Sequence, residues 1–412
     1  MIEPRCYLHK APYVVPVSAD PEVPAVINNG AVLTENGRIK AVGTYEELKT
    51  SDAVLTEHDR SVLIPPLING HTHLELSHLA ALGKEPPAAG DITGWIRNLL
   101  TTRENGEEPE ESQMAAQMAL ARIYAGGCRG VLDIGNLAAS RNIGDNFKVR
   151  LLFFRELLGL TEKSVTESLS FLSTIADDNE VICTAHAPYS TSPELIKAIK
   201  ERSLKHHHLF PIHVAESEDE MRFLDKGEGR LGDFLVERAA LDDSFQIPGL
   251  SPIAYLDDLG VLDEQTLCVH CVHCSDDDLQ IMADRKVTVC LCPGSNRFMG
   301  VGVAPVPQML AHGIPMIIGT DSLASNPNFS LWEEMRFLAE DHPDLDPIEI
   351  IKIASRNGAE FMGISNEYGA LAPGLSASFL AVSGDLPFEG DEQAILNSLV
   401  SGGLAITTEW VE

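Results

Sequence analysis

Two histidines separated by a single residue, His71 and His73, follow an apolar run of strand character at residues 64–68. In a β-strand, residues i and i+2 point to the same side, so both imidazoles are expected to project together. Two imidazoles side by side supply half of the ligands of a zinc or iron site. The alternative is a pair of structural histidines bonded to backbone atoms, and the rest of the chain has to decide between the two.

Further histidines and acidic residues stand at the ends of other apolar runs. Taken singly, a strand-end histidine is often structural, and Asp321 after Gly-Thr could cap the next helix. If the runs are parallel strands of one barrel, however, their carboxyl ends meet at one face. The residues concerned are His186, His213, Glu216, His270 and Asp321. Four side chains at that face then become potential ligands of one metal ion, namely His71, His73, His213 and Asp321.

The elements that would position these residues lie between residues 61 and 365. Eight apolar, β-rich runs alternate there with amphipathic segments of helix length. This pattern predicts an α/β fold with a (β/α)8 TIM-type barrel, because eight parallel βα units close into a barrel. The long connection between the fifth and sixth strands, residues 216–265, predicts an elaborated loop over the active face. The runs are 62–68, 130–134, 149–154, 181–186, 210–215, 266–271, 287–292 and 315–320.

Both ends of the chain, residues 1–60 and 366–412, have the character of short strands and turns. Asn36-Gly37 between two alternating runs predicts a β-hairpin. Residues 378–382 predict a further strand near the other end. We therefore expect the two ends to pair into one small composite β-sandwich domain beside a catalytic barrel of residues 61–365.

Composition narrows the classes of partner. The net charge of −31, from 30 basic and 61 acidic residues, would repel phosphate backbones and anionic membranes. No apolar run approaches the ~18–20 residues of a membrane helix, and the first residues lack the features of a signal peptide. We expect a soluble cytoplasmic protein with reduced cysteines, a small-molecule substrate, and no nucleic acid or membrane partner. A homodimer is left open.

Three cysteines spaced C-x-x-C-x-x-C, at Cys268, Cys271 and Cys274, offer an alternative thiolate metal or iron–sulfur site. A strand through residues 266–271 would send Cys268 and Cys271 to opposite faces, which prevents them from binding one metal together. We expect them to be small core residues instead.

Six stretches in barrel order resemble the amidohydrolase superfamily, and more closely its deaminase and chlorohydrolase branch. That branch includes adenosylhomocysteine deaminase-like and aminofutalosine deaminase-like enzymes. The end domain is similar too, although Ala377-Ser378-Phe379 replaces the usual Ala-Asp-Leu, far from the strand ends. The stretches are INGHTHLELS (68–77), HAPYSTSPEL (186–195), HVAESEDE (213–220), VHCVHC (269–274), CPGSN (292–296) and GTDSLASN (319–326).

The resemblance implies one divalent metal ion, zinc or, as the alternative, iron, bound by His71, His73, His213 and Asp321. It implies proton transfer by Glu216 and His270, with Asp321 assisting as a base. A lysine at the end of strand four would allow a two-metal site, but His186 stands there, which favours a single metal. Such an ion lowers the pKa of a bound water to roughly 7, so that hydroxide can attack an amine-bearing ring carbon and release ammonia.

Five candidate substrate-binding residues lie on loops or strand ends of the active face. Trp95 could stack on a purine or simply pack under a loop. Arg155 and His186 could contact a ribose or an acidic tail, although Arg155 could equally form a structural ion pair. Glu75 shares the side of His73 if the strand continues. The full set is His186, Arg155, Glu75, Trp95 and Asn296.

The sequence thus predicts a metal-dependent hydrolytic deaminase of an adenosine-like compound. The candidate substrates are aminofutalosine, adenosylhomocysteine, methylthioadenosine and adenosine. The HTHLELS stretch inclines the choice towards the aminofutalosine type, and so towards menaquinone biosynthesis, by resemblance alone. The alternatives are another amidohydrolase that cleaves a C–N or C–Cl bond of a heterocycle, and a non-catalytic metal-binding scaffold.

Overall fold

The computed structural model describes residues 6–104, 109–137, 141–388 and 391–412. Its strands are β1 (Cys6–Val14), β2 (Ile27–Glu35), β3 (Arg38–Thr44), β4 (Val54–Glu57), β5 (Val62–Ile64), β6 (Leu67–Thr72), β7 (Cys128–Gly135), β8 (Arg150–Leu157), β9 (Ile182–Ala185), β10 (Phe210–Val214), β11 (Thr266–His270), β12 (Thr288–Leu291), β13 (Met316–Ile318), β14 (Phe379–Ser383) and β15 (Thr407–Val411).

The α-helices are α1 (Tyr45–Leu48), α2 (Ile92–Glu104), α3 (Pro109–Ala125), α4 (Glu162–Thr174), α5 (Pro193–His206), α6 (Glu218–Lys226), α7 (Arg230–Glu237), α8 (Pro252–Asp258), α9 (Asp276–Arg285), α10 (Pro293–Met299), α11 (Val306–Ala311), α12 (Leu331–Asp341), α13 (Pro347–Ala354), α14 (Arg356–Phe361) and α15 (Glu392–Ser401). Short 3₁₀ helices span Leu74–Leu79, Leu82–Lys84, Gly144–Phe147 and Gly403–Ala405. Among the described helices, none has both the length and the apolar character needed to cross a membrane.

The barrel strands form two four-stranded parallel sheets, β6-β7-β8-β9 and β10-β11-β12-β13, each in chain order. The two sheets meet at both of their edges. At one, the backbone N–H of His213 donates to the carbonyl of His186 at 3.0 Å. At the other, Thr72 and Asp321 form a parallel bridge. Helices follow the strands, although β7 is followed by a short 3₁₀ helix in the part of the chain that the structure describes, and the predicted α/β barrel fold is confirmed.

The strands outside the barrel form one seven-stranded sheet in the order β15-β14-β5-β1-β2-β3, with β4 also paired to β1. Both chain ends contribute to it, as predicted for the composite domain. The hairpin between β2 and β3 turns at Asn36 and Gly37, whose φ angles of 55° and 76° match the turn expected for Asn-Gly.

The apolar run at residues 62–68 is not one strand, as the sequence pattern had indicated. Its first half, β5, pairs antiparallel with β14 and parallel with β1 in the end sheet. Its second half, β6, is the first barrel strand. Pro65 and Pro66 separate the halves, since neither has an N–H group to donate to a sheet. The domain limits 1–60 with 366–412 and 61–365 stay predictions.

Candidate active site

Buried polar side chains set the course of the chain through His71, in β6, and His73, just after it. The Asn69 carboxamide oxygen accepts from the backbone N–H of Thr320 at 3.1 Å, which ties the first barrel strand to the last. One carboxylate oxygen of Asp133, on β7, accepts from the Thr72 hydroxyl at 3.0 Å and the Leu74 N–H at 2.7 Å. These contacts turn the chain sharply just after His73.

Four donor atoms converge at the carboxyl ends of the strands. The Nε2 atom of His213 lies 3.2 Å from that of His73 and 3.3 Å from that of His71. The Oδ1 atom of Asp321 lies 3.6 Å from His71 Nε2 and 3.7 Å from His73 Nε2. A tetrahedron with metal–donor bonds of about 2.0–2.1 Å has edges of about 3.3–3.4 Å, close to these four distances, so these side chains could hold one metal ion.

The second ring nitrogens of two of these histidines are fixed by backbone carbonyls. His73 Nδ1 lies 3.0 Å from the Ile134 carbonyl, and His213 Nδ1 lies 2.9 Å from the His186 carbonyl. Each Nδ1 therefore carries the proton, and each Nε2 directs its lone pair to the centre. Burial lowers the pKa of His73 to about 3 and that of His213 well below its ordinary value, so both rings are neutral and ready to bind a metal.

Asp321 is held as a carboxylate. The hydroxyl groups of Ser295 and Ser325 donate to its Oδ2 atom at 2.5 and 3.0 Å, which leaves Oδ1 directed at the histidines. Burial opposes ionisation of this group, but its contacts with His71 and His73 keep the pKa of Asp321 well below the ordinary value. A buried carboxylate among neutral imidazoles is the remaining ligand that a divalent ion requires.

Strained backbone recurs at this rim. Ala215, His270 and Asp321 have φ angles of 53°, 74° and 58°, in the left-handed region that non-glycine residues rarely adopt. Each lies at or just beyond the end of a barrel strand. Such conformations cost free energy and persist where the surroundings hold a functional side chain in place.

Glu216 and His270 form a second polar pair beside the donor atoms. His270 Nε2 lies 3.8 Å from Glu216 Oε1. On the other side of the ring, Nδ1 lies 3.0 Å from the Asn296 carboxamide oxygen, so it donates there and leaves Nε2 as an acceptor. Burial raises the pKa of Glu216 above its ordinary value although His270 opposes the shift, which equips this carboxyl group to carry a proton.

A cavity of about 390 Å³ opens over both groups. Its floor includes His73, His213, Glu216, His270 and Asp321. The walls are mostly apolar and come from two elements: helix α2 after the first barrel strand, and helix α7 within the long connection between β10 and β11. The wall residues include Ile92, Trp95, Leu99, Leu231, Phe234 and Leu235.

Three of the five predicted substrate residues line this cavity: Glu75, Trp95 and His186. The indole N–H of Trp95 donates to the Ala324 carbonyl at 3.3 Å, which fixes the ring in the wall. Asn296 lies behind His270 and does not line the cavity.

Arg155 is not brought to the site. Its guanidinium lies over the Phe171 ring, 4.4 Å from the centroid, in the layer between β8 and helix α4. The reason is strand alternation, because neighbouring residues of β8 face opposite sides and Glu156 takes the inner side.

Glu156 was missed by sequence reasoning. It lines the cavity and is 8% exposed, and Asn136 Nδ2 donates to its Oε2 at 3.1 Å. Burial raises its pKa to about 7. The alternation of β8 could have identified it, since the outward Arg155 and the inward Glu156 are adjacent. The register of that strand decided which of the two was inside.

Thiolate ligation is not seen at the cysteine series. All eight cysteines are free, and Cys268 and Cys271 are buried. In the described part of the chain, the groups of ligand atoms close enough to hold one metal ion contain histidines and carboxylates but no cysteine.

The barrel and its histidine-rich metal site define a hydrolase of the metal-dependent kind. The chain belongs to the amidohydrolase family, which matches residues 62–407. Residues 30–51 also match a bacterial imidazolonepropionase-like composite domain, in agreement with the end sheet. The prediction of an enzyme that hydrolyses carbon–nitrogen bonds is thereby confirmed.

Two relatives are similar over most of their length. A 5-methylthioadenosine/S-adenosylhomocysteine deaminase of Desulfitobacterium hafniense is 26% identical over 376 residues, which cover 87% of this chain and 81% of that protein. A 5'-deoxyadenosine deaminase of Methanopyrus kandleri is 27% identical over 382 residues, covering 87% and 82%.

Solved structures share the fold. Helicobacter pylori aminofutalosine deaminase in complex with methylthio-coformycin has a TM-score of 0.81 and 24% identity, covering 98% of this chain and 97% of that one. A zinc complex of atrazine chlorohydrolase from Arthrobacter aurescens has a TM-score of 0.75 and 19% identity, covering 96% and 91%.

Proposed function

We propose that the chain is a metal-dependent deaminase that hydrolyses the exocyclic amine of an adenosine-like compound. One observation carries the proposal: a buried carboxyl group with a raised pKa, Glu216, lies beside a cluster of potential metal-ligand atoms at the floor of a cavity with mostly apolar walls. Deamination needs both parts, since water must be activated on one side and a ring nitrogen protonated on the other. The names of the two relatives support the substrate class.

His71, His73, His213 and Asp321 are the proposed ligands of one divalent ion. When bound there, the ion would act as a Lewis acid that lowers the pKa of water. We favour zinc, because imidazoles and a carboxylate are ligands that it commonly takes. Iron accepts the same donors, and metal analysis of the purified protein separates the two.

His270 and Glu216 would move the protons. His270 donates a hydrogen bond from Nδ1 to Asn296, so its Nε2 lone pair is free to accept a proton from the attacking water. Asp321, which interacts with His270, would assist as a base. Glu216 would deliver a proton to the ring nitrogen next to the carbon under attack, which draws electrons from that carbon. The proton held by His270 then passes to the amine, which leaves as ammonia when the tetrahedral centre collapses to a carbonyl, and the hydroxyl proton returns to Glu216. This role requires a protonated carboxyl group before reaction, as the raised pKa of Glu216 supports.

The apolar walls would bind the purine ring and the 5′ substituent of the nucleoside's sugar. Trp95 presents a fixed indole ring to the cavity, and aromatic faces stack well on purines. Phe234 and Leu235 on helix α7 add apolar surface opposite it. These contacts favour flat, uncharged rings.

The test is ammonia release by zinc-loaded protein from aminofutalosine, S-adenosylhomocysteine, methylthioadenosine, 5′-deoxyadenosine and adenosine. Atrazine serves as a non-purine control, and its turnover is followed by chloride release. We expect turnover of at least one nucleoside. Glu216→Gln should reduce kcat by about 10²–10⁴-fold, because it removes the proton while keeping the shape.

His71→Ala should lose both the metal ion and activity, which would exclude a non-catalytic scaffold. Lys40→Gln serves as the matched control, because Lys40 is an exposed residue of the end sheet with one surface ion pair to Glu35. Turnover of atrazine without any purine would replace the deaminase proposal by the heterocycle-hydrolase alternative.

A further inference from the structure

A polar patch interrupts the apolar wall of the cavity. It comprises Glu75, Asn136 and Glu156, which follow or end the first three barrel strands. The two carboxylate residues are deeply buried, Glu75 at 3% and Glu156 at 8% exposure. The water-activating and proton-transfer roles proposed above use none of the three, although burying two carboxyl groups is costly unless something binds them.

Glu156 has an oxygen without a hydrogen-bond partner. Its Oε2 atom accepts from Asn136, but its Oε1 atom has no hydrogen bond among the residues that the structure describes. His213 Nδ1 lies 3.9 Å from that oxygen and donates instead to the His186 carbonyl at 2.9 Å. Buried acceptors are almost always satisfied, so an orphan oxygen on a cavity wall points to a donor on the ligand.

Glu75 restricts what that donor can be. Its Oε2 atom accepts from the Leu137 N–H at 2.7 Å, and its Oε1 atom lies 3.7 Å from an Arg103 guanidinium nitrogen. The guanidinium disfavours a second cation at the patch, while two carboxyl groups disfavour an anion. Neutral hydroxyl groups, which donate without adding charge, suit both conditions.

The patch lies on a different sector of the rim from the proton-transfer pair. Glu75, Asn136 and Glu156 lie at or just after the ends of strands one to three of the barrel, whereas Glu216 and His270 lie at or just after the ends of strands five and six. A substrate whose ring faces Glu216 can therefore turn an attached group towards Glu156. In a nucleoside that group is the sugar.

We infer that Glu156, supported by Asn136 and Glu75, binds the ribose hydroxyl groups of the substrate and so selects ribonucleosides over their deoxy counterparts. The inference rests on the proposed function, because it assumes that the ring at Glu216 belongs to a nucleoside. It assigns Glu156 to binding rather than to proton transfer. The effect of Glu156 should therefore depend on which hydroxyl groups the substrate has.

The experiment compares adenosine, 2′-deoxyadenosine and 3′-deoxyadenosine as substrates of zinc-loaded wild type, Glu156→Ala and Glu156→Gln. In wild type, loss of the bound hydroxyl should lower kcat/KM by about 10- to 100-fold, because a buried acceptor oxygen of Glu156 then loses its partner. Glu156→Ala should lower kcat/KM for adenosine by a similar factor, mainly through KM. The preference for adenosine over the deoxy compound should then shrink to within about threefold.

Glu156→Gln preserves the side-chain volume and one acceptor oxygen, so its preference for adenosine should lie between those of wild type and Glu156→Ala. It replaces the alanine variant in the test if that variant folds poorly. Glu333→Gln is the matched control: Glu333 is 5% exposed but pairs with Arg336, away from the cavity. This control should keep the wild-type preference.

Equal losses on all three substrates in Glu156→Ala and Glu156→Gln would mean that Glu156 only positions His213, and would overturn the inference while leaving deamination intact. Wild type that deaminates no nucleoside would instead refute the proposed function, and the ribose assignment with it.

Discussion

Replacing Asn296 by alanine is expected to slow the chemical step without weakening substrate binding. The Asn296 carboxamide oxygen accepts a hydrogen bond from the Nδ1–H group of His270, with 3.0 Å between oxygen and nitrogen. Asn296 is 4% exposed and His270 is 1% exposed, so water cannot readily replace the lost acceptor. Without it, the ring can exchange tautomers or rotate, and the Nε2 lone pair is no longer held towards the reacting centre.

The size of the effect follows from that burial. A buried donor that loses its partner costs about 1–3 kcal/mol. If this cost falls on the transition state, kcat drops by about 5- to 150-fold, at tenfold per 1.36 kcal/mol. KM should stay within about twofold, since Asn296 does not line the cavity.

The assay is steady-state ammonia release by wild type, Asn296→Ala and Asn296→Asp at matched metal content. Asn296→Asp keeps an acceptor oxygen and should recover part of kcat. A raised KM with unchanged kcat would refute the positioning role and restore the sequence-based prediction that Asn296 contacts the substrate. If neither constant changed, the hydrogen bond to His270 would have no part in catalysis.

Three further variants test the frame of the site and the end sheet. Gly319→Ala should reduce metal content and activity together, because an added Cβ would lie 2.7 Å from the backbone nitrogen of His71. Metal analysis and ammonia release measure the two effects, and full metal occupancy would contradict this prediction. Glu220→Gln should lower the free energy of unfolding in urea by about 1–3 kcal/mol and reduce kcat. The reason is that the Glu220 carboxylate accepts from the backbone N–H groups of Ala215 and Glu216 at 3.0 and 2.9 Å, and an unchanged kcat would show that it does not position Glu216. His9→Gln should make the free energy of unfolding depend less on pH in the acid range. Burial lowers the pKa of His9 to about 4, so the folded state binds fewer protons than the unfolded state between about pH 6.5 and 4. In wild type, the free energy of unfolding should therefore fall as pH drops through this window, by about 2 kcal/mol at pH 5, and the variant should lack this loss. The same pH dependence of the free energy of unfolding in urea for variant and wild type would contradict the prediction.

Much of the barrel was predictable because its strands are buried on both faces. Such strands appear as continuous apolar runs, and eight of them alternating with helices leave few other architectures. The division of residues 62–68 between two sheets was not predictable from apolar character. It depends on which neighbour each half finds, and only the fold brings β5 beside β14.

The candidate site shows the same division. A strand end tells which residues stand at the rim, and so His71, His73, His213, His270 and Asp321 could be proposed together. Whether a side chain on the rim points inward depends on strand register, which exchanged Arg155 for Glu156. Asn296 lies behind His270 rather than in the cavity, where its side chain contacts the His270 ring and not the space a substrate would occupy.

By itself, the sequence determined the residue types and their order: two paired histidines, later strand-end histidines, and an aspartate after the last strand. These suffice for a barrel and for a metal site, because parallel strands bring their carboxyl ends to one face whatever the loops do. Only the tertiary structure decided that the Nε2 atoms of His71, His73 and His213 and the Oδ1 atom of Asp321 come within 3.2–3.7 Å of one another in four of their pairs. It also decided that Glu156 faces the cavity, since the direction of a side chain depends on contacts between residues far apart in the chain.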